Sequence, residues 1–98
     1  MTKAMLSNGL KRMVIRECNV KNVLPEQITD DEQIIGGSGA LALDSLDAVE
    51  IVSALERNFG IKLENAGDAR GVVKNFSSMS EFVMQNAAPE SVGRFLNS

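Results

Sequence analysis

The chain contains no histidine, no tryptophan and no tyrosine. Without histidine there is no Ser-His-Asp catalysis, no histidine-ligated zinc site and none of the commonest general bases. Four phenylalanines are the whole aromatic complement, few platforms on which single-stranded nucleic acid could stack. Cys18 is the only cysteine, so no internal disulfide can form, and a reducing compartment, the cytoplasm, is the expected location. The longest apolar run, Ala40 to Leu43, is far too short for a bilayer span, and the opening Met-Thr-Lys-Ala-Met lacks the apolar stretch of a secretory signal. These absences argue against an autonomous enzyme, a nucleic-acid binder and a membrane-spanning protein.

Positive charge is also missing from the middle of the chain. Residues 25–56 hold eight Asp or Glu and no Lys or Arg, a block charge of -8. Residues 1–24 carry +4 and residues 57–98 carry +1, so the net charge of -3 over 98 residues hides a strong asymmetry. The length suits one small domain with one modest core. The central block creates a local negative potential that repels nucleic acid and attracts basic protein surfaces. The plainer reading is a solvated acidic face that keeps a small protein in solution.

Hydrophobic spacing predicts a small all-α bundle of three to four helices with a long loop between helices 1 and 2. Leu6, Leu10, Met13 and Val14 share one face of a first helix that ends near Cys18-Asn19, with Lys3, Asn8, Lys11, Arg12 and Arg16 on the other side. Gly9 costs that helix about 1 kcal/mol relative to alanine, so it depends on packing. Pro25 and Gly36-Gly37-Ser38-Gly39 interrupt regular structure in the loop, which Ile28, Ile34 and Ile35 would pin to the core. Thr29-Asp30-Asp31-Glu32 is a candidate single helical turn. The second helix is the clearest: Asp44 caps it by accepting from the N–H of Leu46 or Asp47, Ile51, Val52, Leu55 and Phe59 form its inward stripe, and Gly60 ends it in the left-handed conformation. Ile61-Lys62-Leu63 alternates as a short extended piece. Residues 66–75 suit a glycine-weakened helix with Val72 and Val73 inside. Ser78-Met79-Ser80-Glu81 has capping-box spacing before a last helix containing Phe82 and Val83. The bundle is assigned to residues 1–86. In the tail, 87–98, Pro89 can start a short helix with Val92, Phe95 and Leu96 on one face; a frayed terminus is the equal alternative.

Most candidate motifs reduce to structure. Gly36 to Gly39 has no preceding strand and no following Lys-Ser/Thr, so it reads as a connector and not as a phosphate loop. The same stretch is no nucleophile elbow, and Asp30-Asp31-Glu32 lacks the ligand spacing of a calcium loop, which leaves no metal site. Cys18 reads most simply as a core residue. Ser45 is different. A serine at a helix start is ordinarily a cap, but Asp44 already fills that role, leaving the Ser45 hydroxyl free to face solvent beside an outward Leu46. A phosphodiester there would sit at the positive end of the helix dipole, partly offset by Asp44 and Asp47.

The run from Leu41 to Ile61, with Asp44-Ser45-Leu46-Asp47, Val49-Glu50, Ala54-Leu55-Glu56 and Phe59-Gly60-Ile61, closely resembles the acyl carrier proteins. The resemblance implies a freestanding, monomeric carrier whose Ser45, flanked by Asp44 and Leu46, receives 4′-phosphopantetheine from coenzyme A through a phosphopantetheinyl transferase. That makes the chain a phosphoprotein whose arm holds acyl groups as thioesters. Acyl transferase, ketosynthase and other acyl-processing enzymes are the implied partners, docking on a helix surface for which Leu46, Asp47, Val49, Glu50 and Glu56 are the candidates. The resemblance is strong over residues 41–63, extends from the first helix to Gln85 and stops before the tail. Arg57, Lys62, Arg70 and Lys74, the lead-in Gly36 to Gly39 and Ala42 depart from the housekeeping fatty-acid form, which leaves a fatty-acid-like or a specialised, polyketide-type pathway open; the four cations favour a specialised pathway over bulk fatty-acid synthesis. The competing reading is an unmodified acidic helical adaptor, which explains the charge but not the geometry around Ser45.

Overall fold

The computed structural model of the chain describes residues 2–37, 39–63 and 66–97. Its helices are α1 (Lys3–Glu17), α2 (Ser45–Phe59), α3 (Ala66–Val72), α4 (Phe76–Asn86) and α5 (Pro89–Leu96), with one 3-10 turn at Pro25–Gln27. No helix among the described residues is long and apolar enough to cross a membrane. The all-α bundle expected from the spacing is present. Ser38 of the glycine-rich stretch lies outside the described residues.

α1 starts where the Thr2 hydroxyl accepts from the Met5 N–H and ends at Cys18, as the spacing predicts. Leu6, Leu10, Met13 and Val14 are fully buried against α4 and α2. Lys11 corrects the expected polar face. Its ammonium donates to Asp30 Oδ1 at 2.8 Å, and only 12% of its side chain is exposed. Ser7 donates to the same oxygen at 2.6 Å, so Asp30 clamps the long loop onto α1.

That clamp is one of several that order residues 18–44. Ile28, Ile34, Leu41 and Leu43 are buried and Ile35 packs against them. A single parallel bridge joins Ile35 to Leu43, with the Leu43 N–H donating to the Ile34 carbonyl at 3.0 Å. The Ile34 N–H reaches the Lys74 carbonyl at 3.1 Å, tying the loop to the segment after α3. The helical turn lies at Pro25–Gln27, not at 29–32, because Pro25 presets φ at the first position and Gln27 accepts from the Leu24 N–H at 2.8 Å. The Glu32 carboxylate instead accepts from the Thr29 and Ala40 N–H groups, at 3.0 and 2.9 Å, and makes a turn of its segment.

α4 begins earlier than the Ser78 spacing predicts. Asn75 is the cap, accepting from the Ser78 N–H at 2.8 Å, and Ser78 sits inside the first turn. Starting there places Phe76, Met79, Ser80 and Val83 on one buried face at i, i+3, i+4 and i+7. A start after Ser78 would leave the fully buried Phe76 outside the helix. α3 rests on α4 with Val72 buried inside it and Val73 just after. The tail residues Pro89–Leu96 are helical and lie against α1 and α2. Val92 is buried, and the Phe95 ring meets Phe59 with centroids 4.8 Å apart.

Candidate functional site

The start of α2 is held by two reciprocal bonds. Asp44 Oδ1 accepts from the Asp47 N–H at 3.0 Å, and Asp47 Oδ2 accepts from the Asp44 N–H at 3.1 Å. The cap on Asp47 was legible in the sequence; the return bond was not. With both carboxylates engaged, the first helical residue, Ser45, has no capping duty. Its side chain is exposed, and its hydroxyl makes no hydrogen bond among the described residues. Next to it, Leu46 is 75% and Val49 61% exposed, a large apolar area for a helix that carries its own buried stripe of Ile51, Ala54, Leu55 and Phe59.

The predicted docking residues are not equivalent. Leu46, Asp47, Val49 and Glu50 cluster with Ser45 in the first turns of α2. Glu50 is exposed and bonds to no described residue. Asp47 is half-buried and committed to the cap. Glu56 lies about 16 Å from Ser45 along the axis, at 1.5 Å per residue. Its Oε2 accepts from the Leu63 N–H at 2.9 Å, holding the segment after Gly60.

A groove of about 1010 Å³ opens beside Ser45 between α2, α3 and the long loop. Ile35, Ala48, Val52 and Val73 supply apolar lining, and Arg70 and Lys74 bring cations to it. Sequence reading assigned Val52 wholly to the core and did not foresee the groove, whose walls come from three separate stretches. The four-residue spacing of Arg70 and Lys74 around the buried valines was the available signal.

Cys18 lies under the same helix. Its thiol is partly buried and donates to the Asp47 carbonyl at 3.7 Å. Burial, then the negative charges of Asp47, Glu50, Glu17 and Asp44, push its pKa up to about 11. The thiol is protonated at neutral pH and is a poor nucleophile.

A free seryl hydroxyl therefore stands on a doubly capped helix start, beside a largely apolar groove. The family model described as "Phosphopantetheine attachment site" matches residues 9–66, and so includes Ser45 and the whole of α2. Among curated proteins, the chain is 32% identical over 82 residues to an acyl carrier protein of Bradyrhizobium sp. (strain ORS 278), covering 84% of this chain and 94% of that protein. Acyl carrier proteins of Nitrobacter hamburgensis and Rhodopseudomonas palustris (strain TIE-1) match at the same identity and coverage. No solved structure gives a significant match. The chain belongs to the acyl carrier protein family, whose members are carriers and not enzymes, with 4′-phosphopantetheine as the prosthetic group. The residues present fit that group: an unbonded primary hydroxyl accepts a phosphodiester without disturbing the cap, and the groove leads away from it.

Proposed function

We propose that Ser45 carries the 4′-phosphopantetheine arm and that the protein delivers acyl intermediates to partner enzymes. The observation that supports this most is the Ser45 hydroxyl, exposed and unbonded at a helix start that Asp44 and Asp47 hold in place. On loading, the seryl oxygen would attack the phosphopantetheinyl phosphorus of coenzyme A, giving its proton to a base of the transferase as the P–O–P bond breaks and the adenosine bisphosphate half leaves. When bound, the arm supplies a thiol that carries acyl groups as thioesters. The protein's part is to hold the attachment point still and to leave the thioester intact. A chain without histidine, whose single thiol is kept protonated, offers no strong nucleophile or base against it. The groove of about 1010 Å³ gives the acyl group shelter within reach of the arm.

Docking on the transferase, on acyl transferases and on ketosynthases falls to the first turns of α2. Leu46 and Val49 supply a small apolar contact, and Glu50, with Asp47 beside it, steers basic surfaces. Glu56 contributes least, because its carboxylate already holds Leu63. Such contacts are small, as suits a carrier that must leave each enzyme in turn. We place the carrier in a specialised, polyketide-type pathway in preference to bulk fatty-acid synthesis. Arg57 no longer supports that placement, because Glu17 holds it at 2.8 Å. Lys62, Arg70 and Lys74 remain as cations that repel basic housekeeping enzymes. An unmodified adaptor would use the same acidic face and leave the free Ser45 hydroxyl without a purpose. Proteolysis and fragmentation of protein treated with coenzyme A and a transferase will find the added group on Ser45; a group on any other residue contradicts the assignment.

A further inference from the structure

We infer that Arg70 and Lys74 select the cargo of the groove beside Ser45, favouring acyl groups that end in a carboxylate over plain alkyl chains of the same length. This rests on the reading of Ser45 as the attachment point. The groove is apolar along Ile35, Val52 and Val73, and Arg70 and Lys74, which flank the buried Val72 and Val73 in the chain, are its two cations. Some basic residues elsewhere are used by the fold, Lys3 with Glu81, Lys11 with Asp30 and Arg57 with Glu17. The other cations left without an acid partner among the described residues, Arg12, Lys21, Lys62 and Arg94, do not line this groove. Arg70 and Lys74 are exposed and pair with no acid among the described residues, although Asp31 lines the same groove. The backbone at Lys74 is tied down. The Lys74 carbonyl accepts from Ile34, and the next residue, Asn75, is locked as the cap of α4. Their charged heads stay in reach of the groove without being spent on the fold.

A ligand groove takes affinity from apolar lining and orientation from a few polar groups. An alkyl chain would cover the valines and leave both cations in water, gaining nothing from them. A carboxylate at the far end of the same chain would meet a guanidinium that binds both of its oxygens and an ammonium close by. The phosphodiester of the arm is common to every cargo and cannot produce such a preference.

The test loads the full-length protein with an octanoyl or a suberoyl arm, equal in carbon count and differing in the terminal carboxylate. Release is followed by mass as the acyl group passes to N-acetylcysteamine and the arm regains its free thiol. Arg70→Gln combined with Lys74→Gln is expected to speed suberoyl release by roughly two- to fivefold, the range exposed ion pairs give, with octanoyl release unchanged. In the unsubstituted protein, 1 M salt should reproduce the effect by screening. Lys74→Gln alone, outside any helix, and the salt titration read the same effect without touching α3. Equal changes for both cargoes, or none for either, overturn the inference, and no partner enzyme is present to confuse the result. A chain that takes no arm overturns the Ser45 reading and this inference with it, and shows in the mass before any rate is measured.

Discussion

Ala42 holds φ at 47°, in the left-handed region that non-glycine residues enter at a cost of about 1–2 kcal/mol. It is exposed, and it turns the chain between Leu41 and Leu43, both buried. Ala42→Gly should raise stability by about 0.5–1 kcal/mol, after the flexibility that glycine adds to the unfolded chain, and denaturant titration will show it. Asp30 is another residue whose environment is measurable. Hydrogen bonds from Lys11 and Ser7 hold its carboxyl below the usual carboxylate range. A lowered pKa adds stability that is present above the unfolded value, about 3.9, and is lost as pH falls through the folded value. Melting temperature should therefore fall more steeply with acid below about pH 4 in the unsubstituted protein than in Asp30→Asn. Local chemistry made Asp44 and Gly60 legible in the sequence, because a cap and a left-handed helix end are decided by near neighbours. Lys11 was not legible: its partner Asp30 is brought to it by the path of the loop, and charge alone placed it outside.

Among the elements, α2, on which the proposed function rests, was read most fully, since cap, stripe and end residue all agree on its limits. α4 was misread by its start. Asn75 and Ser78 can each begin a helix, and only the burial of Phe76 decides between them. On α2 the acidic residues differ in what a substitution tests. Glu50→Lys removes steering charge and touches no internal bond, so loading by the transferase should slow about three- to tenfold at low salt and recover as salt is added. Asp47→Lys removes half of the cap as well, so its effect on rate must be read against its effect on folding. Loading rates for Glu50→Lys that match the parent at every salt concentration would count against charge steering.

At the scale of the molecule, the Cα radius of gyration of 12.2 Å is close to the value of about 13 Å expected for a domain of 100 residues, with α5 packed against the body. Gly9 explains how α5 comes so close: a Cβ there would lie 3.1 Å from Leu96 Cδ2 and from Phe95 Cε2. A residue that looks like a defect in α1 makes room for the tail helix. Deleting residues 88–98 removes buried Val92 and the contact of Phe95 with Phe59, and should cost about 1–3 kcal/mol, seen as a melting temperature lower by at least about 5 °C. An unchanged melting temperature would mean that the tail contributes nothing. Sequence spacing could propose this helix but not its docking, because Gly9 and Phe95 stand at opposite ends of the chain. The groove beside Ser45 was hidden because its walls come from three separate stretches of the chain.

The central claim is that Ser45 carries the arm and has no structural duty. The most direct measurement is the intact mass of the parent and of Ser45→Ala after incubation with coenzyme A and a broad-specificity transferase, alongside their melting curves. The parent should gain one 4′-phosphopantetheine and Ser45→Ala none, with stabilities within about 0.5 kcal/mol because Asp44 and Asp47 keep the cap. A parent that gains no mass, a Ser45→Ala protein that still gains it, or a large loss of stability in that variant would contradict the account.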